Sequence, residues 1–219
     1  MARTIHIDDL DTIPAAGVNW RPIRRALGIT GFGISAFVAD RGGQLIEKHD
    51  ETGGGAGGHE ELYLIVSGHA VFSIDEREIE APAGTLVFVP ETTALRSAVS
   101  VADGTTVVVV GGVPGSMKPS PWEHYFAALP AANAGDPARA YEIAAAGLTD
   151  HPDHPTLHFN LACYASLAGD TDRALEHLAR AVEGNPQART WAASDPDLDA
   201  IRADPRYPVN SGRSIPGKR

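Results

Sequence analysis

Cysteine occurs once in this chain, at Cys163. An intrachain disulfide is therefore excluded, and a reducing cytoplasm is the expected location. Basic charge is scarce as well, with 18 Lys and Arg against 28 Asp and Glu and a net charge of −10. That balance speaks against nucleic acid and anionic membrane surfaces as partners, because both need basic patches. No apolar run approaches the roughly 20 residues of a membrane span. The opening stretch "MARTIHIDDLDTIPAAG" is acidic and has neither the basic nor the apolar block of a signal peptide. What remains is 43% hydrophobic and 21% charged, enough to bury a core in one large domain or two small ones.

Two halves follow different rules. From about Ile29 to Val113, short segments rich in Val, Ile, Phe and Thr alternate with Gly, Asp and Pro. Examples are "GFGISAFVAD", "QLIEKHD", "EELYLIVSG", "HAVFSID", "TLVFVP" and "TTVVVVGG". Such spacing predicts an antiparallel sandwich or barrel. Residues 111–121 are rich in Gly, Pro and Ser and read as a linker, after which Ala dominates with helical apolar spacing. "GDPARA" at Gly135 returns as "GDTDRA" at Gly169, and Ala140 and Pro152 are matched by Ala174 and Pro186, each 34 positions on. This is the period of tetratricopeptide repeats, and "LHFNLACYASLAGDTDRALEHLARAVEGNP" resembles that family. The resemblance covers residues 125–208 and implies one good repeat, a degenerate one before it, and a terminal cap in "ASDPDLDAIRADPRY". So short an array must lean on something else, which makes self-association or a protein partner its expected role. Cys163 is expected to be a buried, inert thiol. His151, His154 and His158 are separated by Pro152 and Pro155, which deny them a shared helical face; an inter-repeat turn is expected rather than a metal site.

The stretch "GGGAGGHEELYLIVSG", residues 53–68, carries the chemistry. Gly53-x-Gly55-x-x-Gly58 matches a dinucleotide fingerprint only on paper, since it leads into a strand and not a helix, and no Lys-Ser/Thr pair ends it. No nucleotide cofactor is expected. In a strand over 60–66, His59, Glu61, Tyr63 and Ile65 share one face and Glu60, Leu62, Leu64 and Val66 the other. A buried carboxylate needs a cation or donors. His59 and Glu61, with His49 from the preceding strand, would give the two-His, one-carboxylate set of a divalent metal site (Fe, Mn, Zn, Ni or Cu). The plainer reading is a strand mouth with a solvated His and a Glu bonded to Arg or Tyr. Tyr63 would shape the pocket. Arg96 would either bind a ligand carboxylate at the barrel mouth or lie on the surface, the latter being favoured.

Over residues 29–113, "EELYLIVSG" followed by "APAGTLVFVPETTALR" resembles a cupin, which implies a small double-stranded β-helix barrel. Glu61 and Gly68 match the end of the first cupin motif, and Gly84 and Pro90 the beginning of the second. The paired His of the first motif would fall at 54–57, where only Gly and Ala stand, and the second motif's Gly and His are Thr92 and Leu95. Of the four usual ligands, Glu61 alone keeps its position. The apolar residues on both faces of this strand lead us to expect a cover over it and a homodimer.

The sequence thus predicts an α+β multi-domain chain. Residues 1–28 pack on the barrel, 29–113 form it, 114–124 link, 125–208 are tetratricopeptide-like helices, and 209–219 are a flexible tail. A non-catalytic ligand-binding or structural module is the leading expectation. A metal-dependent oxygenase or isomerase acting on a small polar substrate is the alternative.

Overall fold

The structure, a computed structural model, describes residues 2–53 and 56–208. The expected tail over 209–219 lies outside the described residues. The chain divides into two compact units, Met1–Met117 and Lys118–Arg219.

Among the described residues the first unit holds ten strands: β1 (Ile13–Ala15), β2 (Val18–Arg21), β3 (Gly33–Ala39), β4 (Gln44–His49), β5 (Glu60–Ser67), β6 (His69–Ile74), β7 (Arg77–Pro82), β8 (Leu86–Val89), β9 (Arg96–Ser100) and β10 (Thr105–Gly112), with a short helix α1 (Ile23–Leu27). They form a six-stranded sheet, β1-β2-β3-β10-β5-β8, and a four-stranded sheet, β4-β9-β6-β7. With the β1–β2 hairpin set aside, eight strands remain, four to each sheet. Their neighbour orders are those of a jelly roll, the eight-stranded double-sheet architecture that cupins share.

Local chemistry sets the corners. The β6–β7 hairpin turns through two residues, with Ile74 facing Arg77 and Asp75 at φ 52°, a conformation Asp tolerates. Between β5 and β6, Gly68 has φ 74°, and a Cβ there would lie 2.6 Å from the Thr105 Cα, so this corner accepts glycine alone. Alternation along β5 buries Tyr63 and Ile65 and exposes Leu64 and Val66. The core between the sheets joins those two to Leu45, Phe72, Val87, Val89, Val107 and Val109. Each large side chain so buried contributes about 1.5–3 kcal/mol of hydrophobic stabilisation.

The second unit is helical, with α2 (Pro121–Asn133), α3 (Pro137–Ala145), α4 (Pro155–Leu167), α5 (Thr171–Gly184) and α6 (Ala188–Ser194), and a 3-10 turn over Pro196–Ile201. Helix α2 opens at Pro121, inside the stretch expected to link the halves. Glu123 accepts a hydrogen bond from the Ser120 N–H (2.8 Å) and so starts the helix early. The 34-residue correspondence is built into the turns. Gly135 and Gly169 sit at φ 77° and 81°. The next residues, Asp136 and Asp170, cap α3 and α5 by accepting from Arg139 N (3.0 Å) and Arg173 N (3.1 Å). Ala140 and Ala174 are both fully buried.

The three histidines of "HPDHPTLH" have structural partners. His151 Nε2 bonds Pro119 O, and His154 caps α4 at Leu157 N. His158 is buried, with Nε2 2.8 Å from Pro152 O and Nδ1 2.9 Å from His177 Nδ1. Since a carbonyl only accepts, Nε2 of His158 must donate and its Nδ1 must accept from His177. His177 Nε2 then accepts from the Tyr141 hydroxyl at 2.8 Å. The two imidazoles thus tie α3, α4 and α5 together.

Candidate functional site

The inner face of β5 meets β3, β10 and the end of β4 at a cavity of about 340 Å³, lined by His49, His59, Glu61, Tyr63, Ser35, Phe37 and other residues. The β4–β9 register sets His49 opposite Arg96. Arg96 is completely buried (0% exposed), which corrects the expectation that it lies on the surface. Its side chain runs beneath the turn that precedes β9, where Nε donates to Ala94 O (3.1 Å) and Nη2 to Glu91 O (2.8 Å). Nη1 reaches Glu61 Oε2 at 2.9 Å. The same oxygen accepts from the Tyr63 hydroxyl, whose ring tilts against Phe72 with centroids 5.2 Å apart. Arg96 is not among the residues lining the cavity; its contact is with Glu61 on the wall.

These contacts set the charges. Burial pushes the Glu61 carboxyl up, but His49, Tyr63 and Arg96 together outweigh it and hold the group at about 2. Burial and the neighbouring Glu61 carboxylate raise the Tyr63 hydroxyl, which therefore stays a donor. Glu61 raises His49 above the ordinary imidazole value, against the opposing effect of burial. His49 Nδ1 lies 2.7 Å from Glu47 O and so carries a proton. Its Nε2 faces two carboxylates, Glu51 Oε1 at 3.6 Å and Glu61 Oε2 at 3.8 Å. Both carboxylates favour the charged form of the ring.

Glu51 was missed in the sequence. It is buried, and its Oε2 accepts from the backbone N–H groups of Gly57 (3.0 Å) and His59 (3.2 Å). A Cβ on Gly57 would meet the His59 ring at 2.2 Å, so a larger residue there would have to displace the ring. The end of the glycine-rich segment, at Gly57, therefore does hold an anion, the protein's own carboxylate. The available signal was parity: Glu51 stands two residues after His49. His49-x-Glu51 has the spacing of the paired His in the first cupin motif, but a longer loop separates it from Glu61.

A divalent cation has a partial ligand set here. One donor atom from each of His49, Glu51 and Glu61 lies within 4.8 Å of the others. His59 is on the rim, with Nδ1 3.9 Å from Glu51 Oε2, and is not part of that trio. Against a cation stands Arg96. At an effective dielectric of about 20, two unit charges 4 Å apart interact by about 4 kcal/mol, and a dication doubles that. The guanidinium thus cancels much of what one carboxylate would contribute, and it already occupies Glu61 Oε2. These residues do not fit the four-ligand centre that a cupin metal site implies.

No family model matches the chain, and no curated protein matches it. Similar solved structures cover about half of it. A cupin protein from Bacteroides fragilis is 20% identical, over 51% of this chain and 91% of that one, with a TM-score of 0.40. A sugar phosphate isomerase from a cupin superfamily, from Silicibacter pomeroyi, is 17% identical over 50% and 74%, with a TM-score of 0.42. A Cupin 2 conserved barrel domain protein from Salinispora arenicola is 15% identical over 53% and 91%, with a TM-score of 0.41. The jelly-roll assignment rests on strand order and not on these likenesses. Among the described residues, no helix is long and apolar enough to cross a membrane.

Proposed function

We propose that the jelly-roll unit is a non-catalytic binding module for a small, neutral, hydroxylated ligand. The observation that carries this reading is the buried Arg96 that pairs from behind with Glu61, a residue on the wall of the 340 Å³ cavity. Arg96 supplies the positive charge beside Glu61 that a metal would otherwise bring. Glu61, held well below neutrality, and Tyr63, raised well above it, keep fixed protonation states near neutrality, which suits hydrogen bonding to a ligand and does not suit proton transfer. Hydroxyl groups of a ligand can donate to Glu61 and Glu47 and accept from His49. The test is a ligand-observed NMR screen of small polyols and sugars against wild type and Glu61→Gln. Saturable binding weakened at least tenfold by the substitution supports the reading, and no binder among them removes it.

A metal-dependent enzyme acting on a small polar substrate is the second reading, favoured by the closeness of His49, Glu51 and Glu61 donor atoms. Metal analysis of untagged protein separates the two. Near-stoichiometric Fe, Mn, Zn, Ni or Cu in wild type, lost in Glu61→Ala and Glu51→Ala, would sink the non-metal reading. His59→Ala tests whether the rim histidine takes part.

For the helical unit the reading is a tetratricopeptide-like pack serving self-association or a protein partner. It is supported by the recurrence of the Gly-Asp turn after 34 residues. A homodimer is the preferred assembly, because Leu86 (62% exposed), Phe88 (54%), Leu64 and Val66 leave the outer face of the larger sheet apolar. The cytoplasm is the proposed location, on the strength of the unpaired Cys163.

A further inference from the structure

A second cavity, of about 330 Å³, lies wholly within the helical unit, between α2, α4 and the turn that follows α6. Its lining includes two carboxylates, Asp195 and Asp197, and no Lys, Arg or His. One donor atom from each Asp and the sulfur of Cys163 fall within 4.8 Å of one another. Asp195 Oδ1 is used in capping, accepting from Asp197 N at 3.0 Å, while Oδ2 faces the Cys163 thiol at 3.9 Å. Burial and Asp195 together push the Asp197 carboxyl up, the mark of two like charges held close. Arg202, the neighbouring cation, donates to the backbone oxygens of Ala192, Ala193 and Asp195 and to the Asp199 carboxylate, and does not line the cavity.

An independent feature points to a ligand. Tyr164 lines the same cavity and is 5% exposed, yet its hydroxyl is buried with no hydrogen-bond partner among the described residues. Buried polar atoms in native structures rarely go unpaired. Tyr125, Cys163 and Asp197, which after burial act on that hydroxyl, all line the same cavity. Leu129 and Leu167 supply an apolar wall beside it.

We infer that this cavity binds a primary ammonium group on a short apolar chain, either a free amine or a lysyl side chain. An ammonium has three donors and no acceptor, which matches two carboxylates and an unpaired phenol oxygen. Its methylenes would lie on Leu129 and Leu167, a surface that a bare metal ion would leave unused. Burial and the two carboxylates also keep the Cys163 thiol protonated, and a metal would require the thiolate.

The test is isothermal titration of the full-length protein with n-butylammonium, with n-butanol as the neutral match, and with Zn²⁺. One-to-one saturable binding of butylammonium, at least tenfold tighter than any binding of butanol, is expected. Asp197→Asn should weaken it at least tenfold and Tyr164→Phe about threefold, with unchanged circular dichroism in both. Nα-acetyl-lysine methylamide distinguishes the sources: tighter binding than butylammonium marks a lysyl side chain, weaker binding a free amine. Equal affinity for butanol, an unaltered Asp197→Asn variant, or uptake of Zn²⁺ with no binding of the amine would overturn the inference.

Discussion

Replacing Arg96 by Met should destabilise the jelly-roll unit by about 4 kcal/mol at pH 7. The substitution keeps most of the side-chain volume but deletes the donors to Glu61, Glu91 O and Ala94 O. Breaking a buried ion pair from one side costs about 3–5 kcal/mol, because the partner charge is left stranded. The pH dependence identifies the cause. In the wild type, Glu61 is held at about 2, below the ordinary carboxylate value. Its contribution is therefore complete above about pH 4.3 and is lost as pH falls toward 2. Without Arg96 the carboxyl rises, so the variant sheds less stability on acidification. The gap between the two proteins should narrow between pH 7 and pH 3. Urea unfolding followed by Trp20 fluorescence, in a Trp122→Phe, Trp191→Phe background, reports this unit alone. The double variant Arg96→Met, Glu61→Gln should recover about 2 kcal/mol as a coupling energy. A cost below about 1 kcal/mol, or a gap that does not change with pH, refutes the assignment of Arg96 as the charge partner of Glu61.

Glu51→Ala orphans the Gly57 and His59 N–H groups, and should cost about 1–3 kcal/mol with faster hydrogen exchange at residues 56–59. Burial, followed by His158, lowers His177 to about 4. The unfolded chain then takes the proton first, so the helical unit should lose stability as pH falls below about 6.5, by on the order of 3 kcal/mol at pH 4; thermal unfolding of His177→Leu should show a flatter slope. Leu86→Glu with Phe88→Glu should shift sedimentation from dimer to monomer with the fold intact, since both side chains are exposed; an unshifted dimer would move the interface elsewhere. Gly135→Ala and Gly169→Ala should each cost about 1–2 kcal/mol in chemical denaturation, because both positions need a left-handed backbone.

The strands legible in the sequence were those whose two faces differ in polarity or are apolar throughout, namely β3, β4, β5, β6, β8 and β10. Two in the barrel went unread for physical reasons. Strand β7, "REIEAP", lies at the edge of the smaller sheet; its exposed face carries Glu78 and Glu80, and Arg77 opens the other face, which protects an edge and hides its period. Strand β9, "RSAVS", begins with a charged residue, and the sequence alone does not reveal that its guanidinium is buried. The 34-residue repeat was plain because its turn chemistry is local: a left-handed glycine followed by a capping aspartate leaves a mark in consecutive residues.

The candidate site was half legible for the opposite reason. Glu61 and Tyr63 belong to one strand, so alternation placed them together. Their partners come from β9 and from the far side of a loop whose length sequence spacing does not constrain. Counting back from Glu61 by the family interval lands on the glycines, whereas the fold returns His49 and Glu51 from further away. The end of the glycine run closes over Glu51, and Gly57 both donates to that carboxylate and clears the His59 ring. An altered loop length and a buried arginine thus act on the same centre. The first carries a second carboxylate to it, and the second supplies the compensating charge.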